Sequence, residues 1–247
     1  MTKPEMGRRP PSGRRAPGQG IARPSRTGRK RALVLFSGGL DSTVALWWAR
    51  QRGWRVTAMS FEWPGRPAGE SRAAARVLAT LNGDVDEVLN LSVPGLSAWA
   101  DLPRRNRAVY ASAPPPGYLP ARNLVFQSLA LAAAEPRGIP CLVAGHTRSD
   151  ATSFRDARPA FFRAVARAAS LGRPASHPAP HILLPLARLD DAGVLRLGRA
   201  LGAPLHLTWT CYTGGRIPCR RCAACRDRAE AFRAAGLADA PPGDTER

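Results

Sequence analysis

Two groups of residues in this chain have the types and spacing to do chemistry. The first is Ser-Gly-Gly-Leu-Asp-Ser at positions 37–42, entered through Leu35 and Phe36 and followed by Thr43. Gly38 and Gly39 let the backbone turn tightly against an anion, and a helix starting there offers unpaired N–H groups and the positive end of its dipole. A phosphate fits such a turn. Its residues lack the Gly-Lys-Ser/Thr of a Walker loop, so the usual γ-phosphate hydrolysis machinery is not indicated. A plain glycine turn with a serine capping a helix is the simpler alternative. The second group is Cys211, Cys219, Cys222 and Cys225, at C-x7-C-x2-C-x2-C spacing. Four thiolates with two-residue gaps can close a tetrahedral Zn²⁺ site, and Gly214, Gly215 and Pro218 suit a knuckle in the first gap. Disulfides and an iron–sulfur cluster are the competing uses. Cys141 stands alone in an apolar run and reads as a core residue.

The elements that must position these residues alternate. Residues 31–36 form a short apolar run, as expected of a strand buried on both faces of a parallel sheet. A helix is expected over 42–51, a strand over 55–61, a helix over 71–81 and a strand over 86–91. A helix over 121–134 and a strand over 140–145 follow. Strands separated by helices imply an α/β fold with a doubly wound parallel sheet, its ligand beyond the carboxyl ends of the strands. Residues 92–120, with Pro114, Pro115, Pro116 and Gly117, are too long and irregular for a simple connection and suggest a lid or a disordered loop. Further helices are expected over 160–171, 191–201 and 227–235, with a Pro/His stretch over 173–180.

Composition limits the partners. With 247 residues, 44% of them hydrophobic, the chain can bury one sizeable core. No apolar run approaches the ~20 residues of a membrane helix, and residues 1–30 have no apolar centre of a secretory signal, so a cytoplasmic protein is expected. The net charge is +19. Residues 1–30 hold nine of the Lys/Arg and one acidic residue, and their Pro, Gly, Ser and Arg content predicts a disordered basic tail. Such a tail could be an organelle transit peptide or a nonspecific anchor on polyanions such as RNA. The remaining positive charge suits equally an arginine-rich composition bias and a nucleic-acid role.

The turn at 37–42 resembles the pyrophosphate loop of enzymes that split ATP into AMP and pyrophosphate. Taken with Pro120-Ala121-Arg122-Asn123-Leu124, residues 145–158, and Thr208-Trp209-Thr210-Cys211-Tyr212 leading to Cys225, the chain resembles the 7-cyano-7-deazaguanine synthase family over residues 31 to about 236. The resemblance implies a Rossmann-like sheet of the adenine nucleotide alpha hydrolase type with a small C-terminal zinc-binding segment. It divides the chain into the tail 1–30, an ATP pyrophosphatase-like domain 31–207, a knuckle with its helix 208–236, and a tail 237–247. It also implies the substrates ATP, 7-carboxy-7-deazaguanine and ammonia, the metals Mg²⁺ and Zn²⁺, and a homodimer. In that family the acid is adenylated, ammonia displaces AMP to give an amide, and a second adenylation leaves the nitrile.

By the same resemblance, Ser37 and Ser42 donate to phosphate and Asp41 helps hold Mg²⁺. Arg122 and Asn123 orient phosphate or the substrate base. Asp150, Asp156 and Arg158 match polar positions of the loop after the fourth strand, where a carboxylate could accept from a guanine-like edge and Arg158 could face the substrate carboxylate. A surface residue or helix cap is the alternative for each.

The departures are specific. A Gln-Arg-His run of the family is replaced by Glu62-Trp63-Pro64-Gly65-Arg66-Pro67, a tyrosine by Phe154, a proline by Arg155, and a helix-entry lysine by the stretch Asp190-Asp191-Ala192-Gly193. Residues 31–247 contain no lysine. Arginine must do any such work, and its planar fork is not an equivalent group. Three readings stay open: the nitrile-forming ligase; a relative that passes the activated acid to another amine, on a protein or a small molecule; and a zinc-knuckle, nucleic-acid-binding protein without catalysis.

Overall fold

A computed structural model describes residues 30–99 and 118–240. The basic tail and most of the irregular segment read from the sequence lie outside these residues, as do positions 241–247. The described chain forms a five-stranded sheet in the order β3-β2-β1-β4-β5, every pairing parallel. The strands are β1 (Arg31–Leu35), β2 (Arg55–Glu62), β3 (Glu87–Ser92), β4 (Cys141–Val143) and β5 (His181–Leu183). Between and after them run α1 (Leu40–Gln51), α2 (Ala68–Ala79), α3 (Arg122–Ala134), α4 (Arg148–Ser153), α5 (Pro159–Leu171), α6 (Asp191–Ala200) and α7 (Ala223–Ala235).

Strand alternation divides the core into two layers. Ala32 and Val34 of β1, Val56 and Ala58 of β2, and Cys141 and Val143 of β4 face Val44 and Leu46 of α1, Val77 of α2, Val194 and Leu195 of α6, and Phe232 of α7. Leu33, Met59, Phe61 and Leu142 face the other way, against Ala130, Leu131 and Ala134 of α3 and Val165 of α5. Because both faces are covered, β1 reads as an uninterrupted apolar run, and each large side chain fully buried there stabilises the fold by about 1.5–3 kcal/mol. Cys141, expected in the core, is there, and burial pushes its thiol up to about 11.

Three elements differ from the sequence reading. The stretch after α5 contains the edge strand β5, three residues long and partly exposed. Its pattern is hidden by flanking proline and histidine residues. Arg148–Ser153 forms a six-residue helix that buries nothing fully, so no apolar period announces it. α7 also begins four residues earlier than expected, with Cys222 as its N-cap.

The topology leaves a crevice. β1 sits at the centre of the sheet, and the chain leaves it toward β2 on one side and later adds β4 on the other. The carboxyl ends of β1 and β4 therefore flank the switch point where α/β sheets take ligands.

Candidate functional site

At the end of β1 the backbone enters the glycine turn, and the surroundings explain its residues. Gly38 has φ +85°, and a Cβ there would lie 2.4 Å from the Ala74 nitrogen and 2.7 Å from the Glu70 carbonyl oxygen of α2. Only glycine fits. Ser37 Oγ accepts from the Gly39 N–H at 3.2 Å and lies 3.1 Å from Ser42 Oγ. Ser42 donates to the Gly39 carbonyl at 3.1 Å, and Thr43 Oγ1 donates to the same carbonyl at 2.8 Å. The two serines thus hold the turn while keeping hydroxyls at its mouth. No side chain caps the first turn of α1, which leaves its N-terminal end directed at whatever enters.

The turn is braced from below by Arg66, whose side chain is buried. Its guanidinium donates to the carbonyls of Ser37 and Phe61 and pairs with Glu62 and, at 3.3 Å, with Glu70. Sequence reasoning marked the stretch 62–67 only as a departure. Its arginine folds back onto the turn by a tertiary contact with no local signature. The Trp209 N–H donates to the Gly38 carbonyl at 3.1 Å, so the C-terminal segment touches the turn as well.

A cavity of about 330 Å³ opens beside the turn. Leu35, Phe36, Ser37, Gly39, Asp41 and Ser42 form one wall, and Met59, Phe61 and Trp63 continue it from β2. Arg122, Asn123, Phe126 and Gln127 enter from α3, and Ala144, Gly145, His146 and Asp150 from the end of β4. Glu70, Phe154 and Ala157 complete the lining. The Phe126 and Phe61 rings stack at 4.2 Å between centroids, which makes part of the wall flat and aromatic.

Of the residues singled out in the sequence, Asp41, Arg122, Asn123 and Asp150 line this cavity with Leu35, Phe36, Ser37, Gly39 and Ser42. Gly38, Leu40 and Thr43 lie behind it in the turn, fully or nearly buried. Asp156 and Arg158 are not on its wall: the Asp156 carbonyl accepts from Asn123 Nδ2 at 3.2 Å, and exposed Arg158 donates to the Ala151 carbonyl at 3.1 Å. Asp150 has a second task. Its Oδ2 accepts from the Thr147 N–H at 2.9 Å while its own N–H donates to Thr147 Oγ1, a capping box that starts α4.

Negative charge is crowded here. Burial first, then the carboxylates of Asp150 and Asp191, push the Asp41 acid up to about 8. His146, packed 4.8 Å from the Phe162 ring, is shifted the other way, since burial disfavours its cation more than Asp150 favours it. Burial also raises the Glu70 acid, against the opposing pull of Arg66. A site with this charge balance can take a divalent cation beside an anionic ligand.

Behind the turn, the Sγ atoms of Cys211, Cys219, Cys222 and Cys225 all lie within 4.8 Å of one another. Thiolates about 2.3 Å from a tetrahedral ion sit about 3.8 Å apart, so the four could hold one with a small inward movement. Cys211 Sγ accepts the Cys219 N–H at 3.3 Å, and Cys219 Sγ accepts the Cys222 N–H at 3.4 Å. Such bonds favour the thiolate, and those from Arg221 and Cys222 draw the Cys219 thiol down to about 6. Trp209 joins the two sites: its buried indole donates to the Cys211 carbonyl at 2.8 Å and lies against Gly69 of α2.

A glycine turn at the switch point of a parallel sheet marks an α/β protein built to receive a phosphorylated ligand. The family model described as queuosine biosynthesis protein QueC matches residues 31–236, and the chain belongs to that family. It is 40% identical over 222 residues to the 7-cyano-7-deazaguanine synthase of Anaeromyxobacter dehalogenans, covering 85% of this chain and 94% of the relative. The enzyme of that name from Pseudomonas syringae is 38% identical over 218 residues, at 85% and 94% coverage. The one from Thermoplasma volcanium is 36% identical over 215 residues, at 85% and 89%.

Proposed function

We propose that this protein is an ATP-dependent ligase that converts 7-carboxy-7-deazaguanine and ammonia to 7-cyano-7-deazaguanine, in the cytoplasm and as a homodimer. The observation that carries the reading is the family match over residues 31–236, because it spans both the turn at 37–42 and the four cysteines.

In this reading a carboxylate oxygen of the acid attacks the α-phosphorus of ATP, and pyrophosphate leaves. Ammonia then attacks the acyl carbon, AMP departs with the oxygen, and an amide remains. The amide oxygen attacks a second ATP; loss of that AMP and of two protons from nitrogen gives the nitrile. Both substrate oxygens leave on AMP. Ser37, Ser42 and the first turn of α1 receive the phosphates, and the flat wall of Phe61 and Phe126 accepts a ring.

Asp41 would hold Mg²⁺. The residues fit, since a carboxyl raised to about 8 by burial and two acidic neighbours is relieved by a cation. When bound, Mg²⁺ neutralises charge on the phosphates. Zn²⁺ would occupy the four-thiol cluster and brace the segment that carries Trp209. Arg122, on the cavity wall, supplies the positive charge that the resemblance assigns to a lysine near Asp191. Asn123 positions the 156–158 loop by its bond to the Asp156 carbonyl, and Asp156 and Arg158 serve the substrate only through a closing of that loop.

The test is to incubate the protein with ATP, Mg²⁺, ammonium and 7-carboxy-7-deazaguanine, and then to measure AMP, pyrophosphate and product mass. The expected result is two AMP per nitrile, with AMP release dependent on the acid. No acid-dependent AMP would sink the reading, and a conjugate mass in place of the nitrile would move it to transfer onto another amine.

A further inference from the structure

Gln127 is a polar member of the cavity wall that the scheme above leaves unused. It lies one helical turn beyond Asn123 on α3, a helix whose sequence from Leu124 onward is otherwise almost wholly apolar. Its side chain is 1% exposed, and Oε1 is buried with no hydrogen-bond partner among the described residues. A buried acceptor left unmatched weakens a fold, and a leucine of similar volume would cover this stretch of helix without that penalty. The residue nevertheless belongs to the lining of a cavity whose surfaces include Phe126, Phe61 and Met59. A flat apolar wall with a few polar side chains beside it is how proteins orient a planar heterocycle.

We propose that Gln127 is a specificity-determining residue: its amide hydrogen-bonds to the N–H edge of a planar nitrogen heterocycle held against the Phe126 side of the cavity. An amide can turn end for end, so the same side chain can also give a hydrogen to a ring nitrogen beside that edge. The inference rests on the proposed function for the identity of the two rings that meet this description, the adenine of ATP and the deazaguanine of the acid. Both carry an exocyclic amino group.

The experiment compares wild type with Gln127→Leu. Calorimetry gives the affinity for ATP and for 7-carboxy-7-deazaguanine separately, each repeated with an analogue lacking the exocyclic amino group, and AMP release gives kcat and KM. The Leu variant should unfold at the same temperature as wild type or higher, because an unmatched buried acceptor is gone. It should bind one of the two ligands about 10-fold more weakly, with kcat nearly unchanged and KM raised for that ligand alone. The amino-less analogue of that ligand should bind both proteins equally, and which ligand shows the pattern identifies the ring. Equal affinity of both proteins for both ligands overturns the proposal, as does equal weakening for both, which would report a deformed cavity. A wild type that binds the ligands but releases no AMP refutes the proposed reaction and leaves the Gln127 comparison standing.

Discussion

Asp41 is where a single residue decides most. In the folded chain its acid is raised from 3.8 to about 8, by burial and then by Asp150 and Asp191. Between those values the folded state binds a proton that the unfolded state has released. The contribution to stability is therefore greatest below about pH 4 and is lost as pH rises to about 8. Asp41→Asn should flatten that part of the melting-temperature profile and, by removing the carboxylate assigned to Mg²⁺, abolish AMP formation; an unaltered profile or wild-type turnover would overturn the assignment. Which residues mattered was partly legible at this scale. The turn at 37–43 is local, so its glycines and serines stand together in the chain. Arg66 with Glu70, His146 and Gln127 come from three separate segments and meet at the turn and cavity only through tertiary packing, which no short window of sequence displays.

Among the elements, the start of α7 shows how a metal knuckle and a helix share residues. Cys222 is the N-cap and Cys225 lies in the first turn, so two of the four sulfurs sit at the positive end of a helix dipole. The sequence reading gave the cysteines to a loop and began the helix at Asp227; ligand spacing hid the fact that a helix can supply the same geometry. Cys222→Ser should lower bound metal below one ion per chain and lower the melting temperature, with chelator producing the same loss in the wild type. Full metal content and unchanged melting in the variant would exclude a structural role. Elements with long or continuous apolar runs, β1, β2 and α3, were legible to within about two residues. α4 and β5 were not, because six residues with a single alanine among polar ones and three edge residues carry too little pattern.

At the scale of the molecule, the C-terminal segment is an integral part of the sheet's cover. Buried Arg228 of α7 pairs with Asp239 at 2.9 Å and donates to Thr208 Oγ1 at 2.9 Å and to the Leu205 carbonyl at 3.2 Å. Gly69 offers the sharpest test of this coupling, since a Cβ there would lie 2.1 Å from the Trp209 ring. Gly69→Ala should displace the indole, destabilise the fold by about 1–3 kcal/mol and raise KM for ATP, as read by denaturant unfolding and AMP release. Loss of stability with an unchanged KM would separate Trp209 from the nucleotide turn. The parallel architecture was legible from alternating strands and helices, whereas the route by which residue 209 returns to residue 38 was not.

That return has a consequence for synthesis on the ribosome. β1 emerges more than a hundred residues before its neighbour β4, and the Gly38 carbonyl receives its N–H from Trp209 later still. A growing chain therefore carries a short apolar strand with one side unmatched while roughly a hundred further residues are added, an interval in which helpers that shield nascent polypeptides have the most to do.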